Sequence, residues 1–283
     1  MIKEWLRKVV GCPDPIPPEP PDPNRKLLYA YYGADSAQIT STYQHVNLVH
    51  IGAWGDWESA QGRINLINDI VAMAQQAKGA NLPVMLTMDF CLFEQTNPRV
   101  PLPGEVSRTY MDTFFTRLRN ENLLDTVVAF YVIDEPNIHE VAVSNQDMIN
   151  TNNWLRAVAG FYWDPTKPLP LAVIYGAGGG NSINNLPGIS TFDWCGIDNY
   201  GSNIFSNGQY NTLLSQMRLE QQTIYVPGGS NPWREDPMPY YTRALQDPRV
   251  VMIMPFIWIT PDGIAGNGMA PQYEAVGSLI VNP

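Results

Sequence analysis

The chain has 283 residues, of which 45% are hydrophobic and only 16% charged, and its formal net charge is −10. This composition is typical of a globular protein, and the acidity argues against nucleic acid or an anionic membrane surface as the main partner. The three cysteines include no C-x-x-C pair, the three histidines form no metal-binding motif, and no apolar run approaches the roughly 20 residues that span a bilayer.

The first 25 residues differ from the rest of the chain. "MIKEWLRKVV" has an apolar stripe at helical spacing, formed by Ile2, Trp5, Leu6, Val9 and Val10. The proline-rich run "CPDPIPPEPPDPN" that follows should be extended and stiff. We predict a docking arm over residues 1–25, in which residues 1–12 bind a protein partner; the alternative is a frayed terminus. Because Lys8 interrupts the apolar stretch that a signal peptide requires, no signal peptide is predicted.

From residue 27 onward, short apolar runs alternate with helical stretches. Strands are predicted at 27–33, 45–54, 82–90, 126–135, 170–178, 193–201, 222–229 and 250–260. Helices are predicted at 60–79, 105–119, 145–161, 210–221, 238–246 and 271–281. Near-continuous apolar strands between amphipathic helices indicate a parallel sheet covered by helices. Eight such units in about 255 residues predict an α/β fold, a (β/α)8 TIM barrel over residues 26–283.

The alternative fold is an open doubly wound sheet, which carries a phosphate-binding loop after its first strand. The glycine-rich segment here, "GAGGGN" at 176–181, follows the fifth strand and lacks the third glycine of that loop. No dinucleotide is therefore expected, and we predict no cofactor.

The carboxyl ends of barrel strands and the loops after them carry function. In this sequence those positions hold aromatic residues, carboxylates and amides, and scarcely any basic groups. The candidates for substrate binding are Tyr32, Trp54, Trp57, Asp89, Asn137, Tyr175, Asn199, Trp233 and Trp258. Aromatic faces suit the C–H faces of sugar rings and carboxylates suit hydroxyl groups, so a glycan is predicted. The carboxylates could instead hold Mg²⁺ or Ca²⁺, and Trp54 or Trp258 could instead be a plug over the barrel core.

In "FYVIDEPN", residues 130–137, an apolar run ends at two adjacent carboxylates, Asp134 and Glu135. Desolvation and a like charge nearby both raise the pKa of a carboxyl group. Cleavage of a glycosidic bond needs such an acid to protonate the leaving oxygen. The pair is therefore predicted to be catalytic.

"YVIDEPN" resembles the strand of (β/α)8 glycoside hydrolases that carries the proton donor, a glutamate. "GIDNY" and "FIWIT" are similar to the segments in which those barrels place a tyrosine and a tryptophan under the sugar. One departure concerns strand seven, "TIYVPGGSNPW": it has Gly228 or Gly229 where many retaining barrels have a nucleophilic glutamate. Glu235 lies further along the loop.

The adjacent Asp-Glu pair resembles that of the N-acetylhexosaminidases. This resemblance implies that Asp134 orients the substrate's acetamido group as nucleophile, that Glu135 is the acid, and that Tyr200 binds the acetamido oxygen. Alternatively, Asp198 or Asp89 acts as base or nucleophile. The predicted catalytic set is therefore Glu135, Asp134, Asp198 and Tyr200.

The predicted activity is hydrolysis of a cell-surface or extracellular glycan, with an extracellular or virion-associated location. The alternative is a non-catalytic carbohydrate-binding or structural barrel, such as a phage virion component.

Overall fold

The computed structural model describes residues 26–282, apart from residues 97, 139–141, 168, 178–182, 201–203, 206–207 and 259–261. The predicted docking arm lies outside the described residues. The described chain forms eight strands: β1 Leu28–Tyr29, β2 Val49–Ile51, β3 Val84–Thr87, β4 Val127–Asp134, β5 Leu171–Gly176, β6 Trp194–Asp198, β7 Gln222–Tyr225 and β8 Val250–Ile253. Each lies within one of the predicted runs. All neighbouring strands pair in parallel, β1 pairs with β8, and the predicted (β/α)8 barrel is confirmed.

Eight α-helices are found within the described residues: α1 Ser36–Thr42, α2 Ala60–Gly79, α3 Asp89–Leu92, α4 Gly104–Asn120, α5 Asn145–Ala159, α6 Gln209–Gln216, α7 Met238–Gln246 and α8 Ala270–Val281. The six predicted helices are present, although α6 ends five residues before its predicted end at residue 221. Helices α1 and α3 are additional to the prediction. Asp35 caps α1, since its Oδ1 accepts the Gln38 N–H at 2.8 Å.

The first and second strands are joined by a side chain as well as by backbone. Asn47 accepts the Tyr29 N–H at 2.8 Å and donates its amide to the Leu27 carbonyl at 2.9 Å. A single parallel bridge between Ala34 and Ile51 continues the contact toward the carboxyl end. The asparagine thus supplies hydrogen bonds where the short β1 leaves the ladder incomplete, and the barrel closes at this seam.

The buried core has two layers. The larger lies between the sheet and the helices. The inner layer fills the barrel axis and comprises Ala30, Tyr32, Leu48, Met85, Ala129, Tyr131, Ala172, Ile174, Trp194, Ile224, Val226, Met252, Met254 and Ile257. Successive strand residues alternate between the two layers, as the pleat requires. Because side chains fill the axis, a ligand cannot enter the barrel, and a site on the axis can form only at the mouth.

Strand β4 departs from this alternation just before its carboxyl end. Its pairing with β5 shifts register between Tyr131 and Ile133. Val132 and Ile133 both belong to the outer layer, whereas Tyr131 belongs to the inner one. The irregularity returns Asp134 to the axial side, where the Tyr131 hydroxyl donates to its carboxylate.

Candidate active site

Asp134 lies at the end of β4 on the axial side of the mouth. The hydroxyls of Tyr131 and Tyr32 both bond to its carboxylate. Burial raises the pKa of Asp134, while these two hydroxyls and the charge of Arg99 act in the opposite direction. Two donors aimed at one carboxylate hold it as a fixed acceptor.

His50 supports the two tyrosines from below. It is buried, and its ring packs edge-on against Tyr131 at 4.7 Å and Tyr32 at 5.0 Å. Nδ1 accepts the Gly33 N–H at 3.0 Å, so Nε2 carries the proton and donates to Thr87 Oγ1 at 3.1 Å. Burial lowers the pKa of His50 to about 3, so the imidazole is neutral at physiological pH. The histidine therefore has a supporting position and no charge to contribute to the site.

Glu135 has a backbone conformation that is unusual for its residue type. Its φ is +44°, and its N–H donates to the Ile174 carbonyl of β5 at 2.9 Å. Its carboxyl group lies over Gly176 at the end of β5. A Cβ atom built on Gly176 would stand 2.6 Å from Glu135 Oε1, so only glycine leaves room for the carboxyl group there.

Glu135 and Asp198 form a hydrogen-bonded carboxyl pair. Asp198 is the last residue of β6 and is buried. Its Oδ2 accepts a hydrogen bond from the Tyr200 hydroxyl at 2.8 Å. Burial raises the pKa of Asp198 well above its usual value, and the negative charges of Glu135 and Asp134 raise it further, while the Tyr200 hydroxyl acts against them. Because two adjacent carboxylates repel one another when both are ionised, the pair retains a shared proton above the usual carboxyl range.

Tyr200 forms one wall of the mouth. Its ring stacks on Phe256, with centroids 4.9 Å apart and an angle of 21°, and lies 5.4 Å from Trp233. Trp233 is 39% exposed. A Cβ at Gly228 would come within 2.8 Å of the Tyr200 ring, which explains the glycine after strand seven: the tyrosine occupies the space in front of it.

The loop after β7 carries a carboxylate back to the end of that strand. Glu235 Oε2 accepts the Gly228 N–H, seven residues earlier, and the Tyr240 hydroxyl at 3.3 Å. The Tyr273 hydroxyl fixes the same turn, since it donates to the Glu235 carbonyl at 2.9 Å. Burial raises the pKa of Glu235, while the Gly228 N–H and the Tyr240 hydroxyl act in the opposite direction. From the sequence, Glu235 lies too far along the loop to reach the end of the strand. The structure shows that the loop folds back, and Tyr273 of α8 contacts it there.

Asp89 begins α3 directly after β3. Its Oδ1 accepts the Phe90 N–H at 2.8 Å, and Arg99 Nη1 lies 3.8 Å from its Oδ2. Burial raises the pKa of Asp89 to about 6 even though Arg99 lowers it, and the charge of Asp134 contributes to the increase. Trp57 is buried under this pair, with the Arg99 guanidinium 4.3 Å from its ring centroid. The tryptophan therefore supports Arg99 and does not present a face at the mouth.

Several predicted site residues are placed away from the mouth or are engaged with the scaffold. Tyr175 lies between the inward-facing Ile174 and Gly176, so it points outward, where its hydroxyl donates to the Pro187 carbonyl at 2.8 Å. Trp258 is buried in the outer layer against Tyr31, with centroids 4.6 Å apart.

Two amides are also bonded within the protein. Asn199 donates to Gln209 Oε1 at 2.7 Å, and Asn137 bonds to the backbone of Gly176. The side chains that the structure does bring together at the mouth are those of Tyr32, Asp89, Asp134, Glu135, Asp198, Tyr200 and Trp233, with Trp54 beside Tyr32.

In the described part of the chain, no group of three or more histidine, cysteine or acidic side chains has an arrangement that could hold a metal ion. Across the same residues, no helix is long and apolar enough to cross a bilayer.

No protein-family model and no curated protein matches this sequence. Solved structures match its fold. A GH30 endoxylanase from Clostridium papyrosolvens has a TM-score of 0.55 at 12% identity, over 94% of this chain and 74% of that one. A GH26 β-(1,4)-mannanase from Podospora anserina has a TM-score of 0.55 at 14% identity, over 95% and 69%. A Haloferax volcanii malate synthase has a TM-score of 0.51 at 10% identity, over 93% and 77%.

The likeness is one of fold. At these identities it shows the shared barrel, and the malate synthase illustrates that one barrel hosts unrelated chemistries.

Proposed function

We propose that this protein is a glycoside hydrolase that cleaves O-glycosidic bonds in a cell-surface or extracellular glycan. The observation that carries the proposal is the hydrogen-bonded Glu135–Asp198 carboxyl pair at the barrel mouth, where burial and the charge of Glu135 raise the pKa of Asp198, with the partly exposed Trp233 nearby. An acid that keeps its proton near neutral pH is what protonation of a glycosidic oxygen requires. The xylanase and mannanase barrels among the structural neighbours agree with this chemistry.

In the proposed reaction Glu135 is the general acid. Its proton passes to the glycosidic oxygen as the bond from that oxygen to the anomeric carbon breaks, and the bonding electrons stay on the oxygen of the leaving sugar. Asp198 is its hydrogen-bonded partner, and the repulsion between the two carboxyl groups helps the pair to keep one proton. Asp134, held as an acceptor by Tyr131 and Tyr32, faces the positive charge that develops on the sugar.

The nucleophile is proposed from the neighbours of Glu135. The carboxyl group of Asp198 is engaged with Glu135, and Asp134 is held as an acceptor by the hydroxyls of Tyr131 and Tyr32. These positions favour the substrate-assisted form, in which the substrate's 2-acetamido oxygen attacks the anomeric carbon and Asp134 orients that group.

The test is hydrolysis of aryl glycosides with and without a 2-acetamido group by the wild type, Glu135→Gln and Asp134→Asn. We expect turnover to fall by about 10²–10⁴-fold in Glu135→Gln while the variant still binds the glycan. Asp134→Asn should be comparably slow on acetamido sugars. The matched control is Asp56→Asn, because Asp56 accepts the Glu58 N–H within an exposed turn.

The outcomes separate the alternatives. Equal cleavage of both substrate types by the wild type would contradict the substrate-assisted form and leave Asp89 or Asp198 as base or nucleophile. Binding of glycans without cleavage of any would favour a non-catalytic carbohydrate-binding barrel.

A further inference from the structure

Trp54, which follows β2, is both exposed and rigidly held. Its side chain is 55% exposed, yet its Nε1–H donates to the Gly33 carbonyl at 2.9 Å. The indole lies against two glycines: a Cβ on Gly33 would stand 2.3 Å from the ring, and a Cβ on Gly52 would stand 2.6 Å from it. Any other residue at either position would displace the ring.

This arrangement differs from that of a core plug. A tryptophan that fills a core buries its large apolar surface, whereas half of this one faces solvent. Its polar N–H is already bonded within the protein, so a ligand meets the apolar face of the ring. An apolar face fixed in orientation loses little conformational entropy on binding, and it suits the flat C–H face of a pyranose ring.

A groove begins at Trp54 and runs between α1 and α2. Its volume is about 470 Å³, and its lining includes Gly52 and the polar side chains of Asp35, Ser36 and Asp69. Carboxylate and hydroxyl groups along an apolar floor match the mixed surface of a sugar, and the volume lies in the range of about 300–1,000 Å³ that ligand pockets occupy.

Trp54 also lies close to the carboxylates of the mouth. The Trp54 ring lies 6.3 Å from the ring of Tyr32, whose hydroxyl bonds to Asp134. One side chain thus separates the Trp54 ring from the Asp134 carboxylate, a separation that one extended ligand can bridge.

We propose that Trp54 and this groove form a second sugar-binding subsite, which holds a pyranose unit of the same glycan chain away from the bond that is cleaved. This rests on the proposed hydrolase function and deepens it: the substrate is a polysaccharide or long oligosaccharide, and a single terminal sugar fills only part of the site.

The experiment measures affinity against chain length. Manno-, xylo- and chito-oligosaccharides of two to six units are titrated by calorimetry into the wild type, Trp54→Ala, Trp54→Phe and Phe161→Ala. Phe161 is the matched control, an aromatic residue that is 72% exposed and follows the end of α5. Reducing-end release by the wild type is recorded in parallel.

We expect wild-type affinity for one of these series to increase with chain length. In Trp54→Ala, the increment, meaning the affinity gained from the additional sugar units, should fall about tenfold or more. Trp54→Phe should keep part of the increment, and Phe161→Ala all of it. The subsite is refuted if Trp54→Ala, folded by circular dichroism, keeps the full increment, or if wild-type affinity does not depend on length. Length-dependent binding that requires Trp54, without release of reducing ends, would support the subsite and refute the hydrolase.

Discussion

Asn137 and Gly176 hydrogen-bond to each other in both directions: the Asn137 amide donates to the Gly176 carbonyl at 2.7 Å, and its Oδ1 accepts the Gly176 N–H at 2.9 Å. This pairing ties the loop after β4 to the end of β5. Glu135 lies within the loop, with its φ of +44° and its carboxyl group above Gly176. The position of the proposed acid therefore depends on an amide side chain and on the missing side chain of a glycine.

Gly176→Ala should impair catalysis far more than folding. The added Cβ would stand 2.6 Å from Glu135 Oε1 and 2.5 Å from Ile138 Cγ2, so the carboxyl group has to move. We expect kcat to fall by about 10²-fold or more, because a misplaced acid loses most of its contribution, and stability to fall by about 1–3 kcal/mol. Gly79→Ala is the control, since a Cβ there has no neighbour within 4 Å. Thermal melts are recorded for both variants, and an equal kcat in the two would contradict the proposed dependence of the acid on Gly176.

Substitutions at Asp198 and at Tyr200 should shift the pH profile of kcat/KM in opposite directions. Asp198→Asn removes the negative charge beside Glu135, so the pair should lose its proton at lower pH and the alkaline limb of kcat/KM should move down. Tyr200→Phe removes the hydroxyl that lowers the pKa of Asp198, so that limb should move up. The measurement is kcat/KM from pH 4 to 9 for the three proteins. Shifts of the same sign would contradict a shared proton.

Tyr131→Phe should instead shift the acid limb of the pH profile of kcat/KM. The Tyr131 hydroxyl is the stronger of the two tyrosine donors that lower the pKa of Asp134, so its removal raises that pKa. If Asp134 acts as a carboxylate, activity should then be lost at a higher pH as the solution is acidified. Tyr175→Phe is the control, because its hydroxyl bonds to Pro187 on the outer side of the sheet. An acid limb that is unchanged in Tyr131→Phe would mean that Asp134 is not required in its ionised form.

Asp89 should make the protein less stable as pH rises from about 4 to 6. Its folded pKa is about 6, above the unfolded value of 3.8, so the folded state binds more protons in that window and its free energy of unfolding falls as the proton is lost. The loss through this group is on the order of 2–3 kcal/mol. Asp89→Asn should flatten this part of the curve, as measured by urea unfolding at intervals of half a pH unit. If the difference in free energy of unfolding between wild type and variant stays constant over this pH window, the raised pKa of Asp89 is contradicted.

Trp258→Ala should act on stability and not on binding. The indole is buried against Tyr31 and lies 5.4 Å from His45, so its removal leaves a cavity in the outer core. We expect a loss of about 3–5 kcal/mol in the free energy of unfolding. Glycan affinity, measured by calorimetry well below the melting temperature, should stay at the wild-type value. A folded variant with unchanged stability and weaker glycan binding would indicate that Trp258 contacts the glycan at the mouth.

The barrel could be predicted from the sequence because its determinants are local and repeated. Each apolar run between helical stretches buries both faces of a strand, and this requirement is visible in the run itself, as in "TVVAFYVIDE" for β4. The alternation of side chains along β6 likewise turns Trp194, Gly196 and Asp198 to the axis, so a carboxylate at the mouth follows from the chain alone.

What the sequence did not show depends on contacts between distant segments. The irregularity in β4 places Asp134 on the axis, and a tyrosine of α8 holds the loop that returns Glu235 to strand seven. Aromatic residues near strand ends look alike in the sequence, yet Trp258 is buried while Trp54 is exposed. The physical reason is that burial at the end of a strand is determined by which loops and helices cover it. The sequence by itself thus determined the barrel and the strand ends that bear carboxylates, and the tertiary structure decided which side chains face the ligand.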